Sequence, residues 1–287
     1  MAEQMQDIKR RIKSIGSTER ITNAMKLVSA AKLRHAKSVY EHSRSYLGRI
    51  IASIDEAFDD DTEVPGYLLK GNREIKTTCV IMLTSSTGLC GSFNGNVIRA
   101  TEDVVAELGH EVKMVNIGTK GKDYFARRGR EIILSHDDPA DTVSYESTKE
   151  IMVPLLEKYK AGEIDEVLMV HTVYVNTLKQ EVHVDRLLPI DPDEHDHSDQ
   201  HLSYLEYEPS SQEVFEYLIG KYLEMTLFSA TIESATCEHA ARRQAMENAN
   251  DNASDMLNVL QTRYNRARQS QITDEIIEIV SGSEAQS

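Results

Sequence analysis

From Lys221 to Ser281 the chain runs without a glycine or a proline. At the helical rise of 1.5 Å per residue that stretch predicts a rod of roughly 90 Å, which few folds can accommodate. Ile232, Ala235, His239, Arg242, Met246, Ala249, Ala253, Met256 and Leu260 follow the alternating three- and four-residue steps of a coiled-coil seam. Alanines in a seam let a partner helix approach closely but bury little apolar area each. The rod therefore requires a second long helix against it.

Residues 3–57 supply that helix. Ile8, Ile12 and Ile15 make one apolar stripe and Ile21, Met25 and Val28 another, and the six-residue step from Ile15 to Ile21 is expected to move the stripe around the helix. Lysines and arginines cover much of the remaining circumference. The chain as a whole carries a net charge of −15, which argues against a general nucleic-acid binder. Residues 1–49, however, hold eleven Lys/Arg against four Asp/Glu. A basic arm on an acidic protein suits an acidic partner (nucleic acid, an anionic membrane or a carboxylate-lined protein surface), or it is a solvated helix face.

Asp59, Asp60, Asp61, Pro65, Gly66 and Gly71 form a breaker-rich linker, after which the pattern becomes that of a Rossmann-like α/β domain. Strands are expected at 75–85, 111–117 and 130–134, helices at 94–108, 121–128 and 145–160, and a hairpin at 166–176 and 179–188, with Pro154 a local flaw in its helix. Strands alternating with helices imply a largely parallel sheet covered on both faces, and the hairpin adds one antiparallel edge. The expected organisation is thus an antiparallel coiled coil, 1–57 with 210–287, and a central α/β domain over 73–205. Between Leu187 and Gly220 no Lys or Arg occurs, and acidic residues accumulate.

Candidate chemistry is sparse. The loop TSSTGLCGSFNG, Thr84 to Gly95, lies between a strand and a helix and could present backbone N–H groups to a phosphate, but Gly88, Gly91 and Gly95 do not match G-x-G-x-x-G. A tight strand-to-helix turn is the other reading. GTKGK, Gly118 to Lys122, has two residues between glycines where a P-loop needs four, and Asp123 replaces the hydroxyl that would hold Mg²⁺. His195, His197 and His201 sit among aspartates without the spacing of an EF-hand or a zinc site, so a solvated loop is preferred to a metal site. His110 and Glu111 begin H-E-x-x-H, which Met114 ends. Cys79, Cys90 and Cys237 form no C-x-x-C pair, which implies a reducing compartment, and Cys90 reads as a buried small hydrophobe rather than a nucleophile. No apolar run approaches membrane-spanning length, and MAEQMQDIKRR is not a targeting signal; a soluble protein that stays where it is made is expected. The end of the long helix is different: Ile272, Ile276, Ile277, Ile279 and Val280 make it apolar on more than one side beyond about Ala267, which predicts a socket made by something else.

The segments IKRRIKSIGSTERITNAMKLVSAAKLRHA (Ile8 to Ala36), TGLCGSFN (Thr87 to Asn94) and HAARRQAMENANDNASDMLNVLQTRYNRARQSQITDEIIEIVSG (His239 to Gly282) resemble the gamma subunits of rotary F-type ATP synthases over the full chain. Ser86 and Thr87 stand where that family usually has Asp-Arg, and Arg243 where it has Met. The cysteine pair of the redox-regulated plastid form has no counterpart. The resemblance implies a non-catalytic rotor shaft, without cofactor or metal, inside a hexamer of alpha and beta subunits. The α/β domain would be the foot of that shaft, bound to the epsilon subunit and seated on the c-subunit ring at the cytoplasmic face of a bacterial plasma membrane, and no homo-oligomer is expected. It also implies rotor–stator contacts at Met25, Lys26, Lys32, Arg242, Gln269, Thr273 and Glu275, an apolar axle tip at Ile276, Ile277, Ile279 and Val280, and foot contacts at Tyr207 and Glu208. Two rivals follow from the residues alone: a phosphate-binding α/β enzyme with helical dimerisation extensions, and a symmetric coiled-coil scaffold.

Overall fold

The computed structural model describes residues 2–57, 67–68, 74–190, 208 and 210–284. Helix α1 spans Ala2–Ala57 and helix α5 Ser211–Glu284, the latter 74 residues long. Between them lie β1 (Thr77–Leu83), α2 (Phe93–Leu108), β2 (Glu111–Ile117), α3 (Thr119–Ala126), β3 (Ile132–His136), α4 (Tyr145–Lys160), β4 (Glu166–Tyr174) and β5 (Gln180–Leu188). The chain divides into two compact bodies, Met1–Ser29 with Arg242–Ser287, and Ala30–Ala241. The acidic histidine loop with His195, His197 and His201, the Asp59–Gly66 part of the linker and Gly71 lie outside the described residues.

In the first body only the two long helices are present, so each buries its seam against the other. On α1 the covered positions are Met5, Ile8, Ile12, Ile15, Glu19, Thr22, Lys26 and Ser29, in unbroken three- and four-residue steps. This corrects the expected second stripe. Ile21 and Val28 are 57% and 56% exposed, and only Met25 of that set is half-buried. The helix keeps one phase and passes polar side chains through its contact face, because backbone periodicity rather than residue type decides which positions meet the partner.

On α5 the covered positions run Arg242, Met246, Ala249, Ala253, Leu257, Leu260, Tyr264, Ala267, Gln271 and Asp274. Met256, expected in the seam, is 55% exposed, and Leu257 takes its place. Two consecutive four-residue steps, from Ala249 to Ala253 to Leu257, make a stutter that locally unwinds a left-handed supercoil. Covered positions also continue to Asp274, past the Ala267 limit expected from sequence.

The second body holds a five-stranded sheet in the order β3-β2-β1-β4-β5, parallel except for the β4–β5 hairpin. Side chains alternate across the central strand. Cys79, Ile81 and Leu83 of β1 face Ile151, Leu155 and Tyr159 of α4 together with Phe215, Ile219 and Leu223 of α5, whereas Val80 and Met82 join Val97 and Val105 of α2 and Phe125 of α3 on the opposite face. Ser144 caps α4 by accepting from the Ser147 amide at 3.2 Å, and Gly109 ends α2 in the left-handed region at φ 64°. Pro154 is accommodated inside α4 without ending it.

The GTKGK glycines serve close packing. A Cβ on Gly118, which has φ +88°, would lie 2.1 Å from the Thr84 carbonyl oxygen, and one on Gly121 would lie 2.2 Å from the Met82 methyl. These glycines let the start of α3 touch β1. A short 3₁₀ turn at Ala140–Thr142, between β3 and α4, presents Asp141 to both long helices. Its carboxylate accepts from Lys32 Nζ at 2.8 Å and lies 3.4 Å from His239 Nε2. These contacts, His239 foremost, hold the Asp141 carboxyl well below the usual carboxylate range, against the opposing effect of its partial burial.

Two outcomes follow for stability. Gly118→Ala costs about 3 kcal/mol in urea unfolding, whereas Gly88→Ala, whose Cβ would meet nothing within 4 Å, stays within about 0.5 kcal/mol. Asp141→Asn costs about 1.5–3 kcal/mol near neutral pH, the worth of hydrogen bonds to a charged group. A carboxyl whose pKa is depressed by folding contributes fully above its unfolded value of roughly 4 and loses that contribution as pH falls through its folded value. Unfolding curves of wild type and Asp141→Asn should therefore converge in strong acid.

Candidate functional site

The functional candidates fall on three parts of the molecule. The first is the end of α5. From Glu275 to Ser281 every residue is exposed, and Ile276, Ile277, Ile279 and Val280 lie 54, 56, 71 and 53% exposed. A helix apolar on several sides and covered on none is unusual for a free surface. Just before it, Gln269 and Thr273 are exposed one turn apart, with the Thr273 hydroxyl donating to the Gln269 carbonyl at 2.9 Å.

The second part is the flank of α1 and the middle of α5. Met25 and Lys26 are half-buried at the seam, and Ile21, Ala24, Leu27 and Val28 present an exposed apolar strip beside them. Lys32 is engaged by Asp141. Arg242 is buried in the seam. Sequence reasoning grouped these residues by role; the fold separates them into exposed positions (Gln269, Thr273, Glu275) and positions already committed to intramolecular packing (Arg242, Lys26). Of the two foot residues, Glu208 is exposed and Tyr207 lies outside the described residues.

The third part was not anticipated from sequence. Twelve consecutive residues of α5, Ser229–Ala240, are buried. One side of this segment meets α1, where the Tyr40 hydroxyl donates to Glu233 Oε1 at 2.8 Å and the Ser43 hydroxyl to Ser229 at 3.4 Å, the reversed order of an antiparallel pair. Burial, with the Glu233 bond next, raises the Tyr40 hydroxyl to about 12. Another side meets β4. Near the start of α5, Lys221 donates to Glu224 at 2.8 Å and to the Tyr145 hydroxyl at 2.9 Å, and that hydroxyl donates in turn to Glu224. Nothing in the sequence marks these pairs, since partners such as Tyr40 and Glu233 stand 193 residues apart; the only local trace is the run of small side chains in TIESATCEHA.

The loop between β1 and α2 is folded on itself. The Ser85 amide donates to Asn94 Oδ1 at 2.9 Å, and Asn94 Nδ2 donates to Ser85 Oγ at 2.7 Å. Cys90 turns inward onto Phe93 and Cys237, packed by Tyr174 and Ala241. Ser86 donates to the Asp137 carbonyl at 2.8 Å and accepts at its own carbonyl from Thr119 at 3.0 Å, so the unusual Ser-Thr pair keeps a polar tie to neighbouring loops. The turn is thus a packing junction. Burial pushes the Cys79 thiol up to about 12 and the Cys237 thiol higher still, which disfavours the reactive thiolate. Among the described residues no helix is long and apolar enough to cross a membrane.

Comparison with known proteins agrees with this architecture. A family model described as ATP synthase matches residues 4–286. The ATP synthase gamma chain of Alkaliphilus metalliredigens is 40% identical over 285 residues, covering 98% of each chain, and a sodium-ion-specific ATP synthase gamma chain of Acetobacterium woodii is 36% identical over 99% of each. Among solved structures, a chain of the Euglena gracilis mitochondrial ATP synthase, in an OSCP/F1/c-ring assembly, superposes with a TM-score of 0.71 at 17% identity, covering 100% of this chain and 95% of that one. That likeness speaks to the fold. The full-length identity to curated relatives speaks to descent, and the chain belongs to the ATP synthase gamma-chain family.

Proposed function

We propose that the chain is the central rotor shaft of a rotary ATP synthase, coupling ion-driven rotation of a membrane c ring to conformational change at catalytic sites carried by a surrounding hexamer of alpha and beta subunits. The observation that carries this reading is the end of α5, where an apolar helix tip has no cover among the described residues. A surface of that kind is tolerable when other chains form a sleeve around it. The basic first 49 residues add a charged flank suited to sliding contact with an acidic partner.

In this reading ATP chemistry belongs to the surrounding subunits, and the shaft acts by favouring different conformations of each beta subunit as it turns. Ile276, Ile277, Ile279 and Val280 turn in the sleeve. Met25 and Lys32 face the stator from α1, Lys26 being spent on the seam beside them, and Gln269, Thr273 and Glu275 form the contact near the tip. Arg242, being buried, contributes by bracing the helix that carries those residues. Tyr207 and Glu208 mark the part of the foot that meets epsilon and the c ring, which makes the chain peripheral to a bacterial plasma membrane on its cytoplasmic side.

The test uses the reconstituted complex. Gln269→Ala with Thr273→Ala should lower coupled ATP synthesis roughly 5-fold or more, the range of a site-to-site coupling of 1–3 kcal/mol. Unchanged synthesis removes the contact assignment at these two residues. One copy of the chain per three alpha/beta pairs is the required stoichiometry of the purified complex; a stable homodimer without them would instead favour a scaffold.

A further inference from the structure

Strand β4 outruns its parallel neighbour. The β1–β4 ladder ends at Met82↔Val170, yet β4 continues to Tyr174 with β5 alone beside it. On the side facing away from β5, Thr172 and Tyr174 would leave backbone groups unpaired in a buried setting, a cost comparable to lost hydrogen bonds. Helix α5 meets three of these groups, both amides and the Thr172 carbonyl. The Thr172 amide donates to Ser234 Oγ at 3.1 Å, the Tyr174 amide to Glu233 Oε1 at 3.0 Å, and the Cys237 thiol donates to the Thr172 carbonyl at 3.5 Å. Residues 233, 234 and 237 lie within about one turn of helix, so a single turn takes the place of the missing strand. Glu233 also holds α1, through the Tyr40 hydroxyl.

We infer that Glu233 and Ser234 are positioning residues that lock the long helix to the sheet, so that α5 cannot slip along or twist against β4 when torque passes between the foot and the shaft. The inference rests on the rotor reading. Apolar packing resists separation but is tolerant of sliding, because one contact replaces another; hydrogen bonds to fixed backbone groups lose their geometry within a fraction of an ångström to an ångström. Glu233 is the convergence point, since its Oε1 accepts from β4 and from α1 together. Two different elements are thereby referred to one atom of α5. Ser229 and Ser43 extend the α1 side of the lock by a further turn.

The experiment compares whole reconstituted complexes carrying wild type, Glu233→Ala/Ser234→Ala, and Glu233→Gln. The first readout is the torsional stiffness of the rotor, taken from the angular fluctuation of a probe fixed to the foot while the shaft is held in the hexamer. The second is exchange of the Thr172 and Tyr174 amide protons. The double alanine variant should lose stiffness and protection at both amides, while Glu233→Gln, which keeps an acceptor oxygen, stays near wild type. Unchanged fluctuation in the double alanine variant overturns the assignment. If that variant fails to assemble, Tyr40→Phe/Ser234→Ala, which spares the Glu233 carboxylate, is measured in its place; greater fluctuation supports the lock and wild-type fluctuation overturns it. A wild-type complex that assembles but shows no rotation overturns the shaft reading itself, a result visible before any variant is compared.

Discussion

A helix segment with no exposed side must find a neighbour in every direction, and Ser229–Ala240 of α5 is such a segment. The arrangement of the second body follows from meeting that demand. Its side chains are small, which brings backbones close, and its polar groups are matched in place: Glu233 by Tyr40 and β4, Ser234 by Thr172, Thr236 by the Ile232 carbonyl, and His239 beside Asp141. A larger or unpaired side chain anywhere in this run would disturb α1, the sheet or the β1–α2 loop at once.

Much of the architecture could be read from residue order because each element announces itself locally. The absence of Gly and Pro across sixty residues, the unbroken apolar run CVIML and the breaker-rich linker ahead of the sheet are signals carried by neighbours in sequence. The seam was harder. Ile21 and Val28 looked like core because they are apolar, whereas Thr22 and Ser29 occupy the contact face because the helix repeat places them there. In a rod made of two helices there is too little interior to bury every apolar residue, so residue type and position come apart. Met256 and Leu257 differ for a related reason: a one-residue change of phase is invisible when both candidates are apolar.

The glycine loops show the opposite case, in which a familiar composition has a plain cause. Gly118 and Gly121 resemble parts of a phosphate loop, yet they remove side chains where α3 touches β1. The turn containing Gly88 and Gly91 folds Cys90 into a small apolar cluster and spends the Ser85 amide on Asn94. Family membership and packing together account for these residues without assigning chemistry to them. The pairs that fasten α1 and α5 to the domain were not legible, since each depends on which turn of a long helix passes which strand.

The way the contact face of α5 stops at Asp274 has an elastic consequence. Two helices side by side behave as a flat beam, stiff in the plane containing both axes and softer across it, so a paired shaft has a preferred direction of flexure. A lone helix has a nearly round section and bends alike in every direction. The last turns of α5 are therefore the compliant end of the rod, able to follow whatever holds them without passing a sideways load back to the paired section.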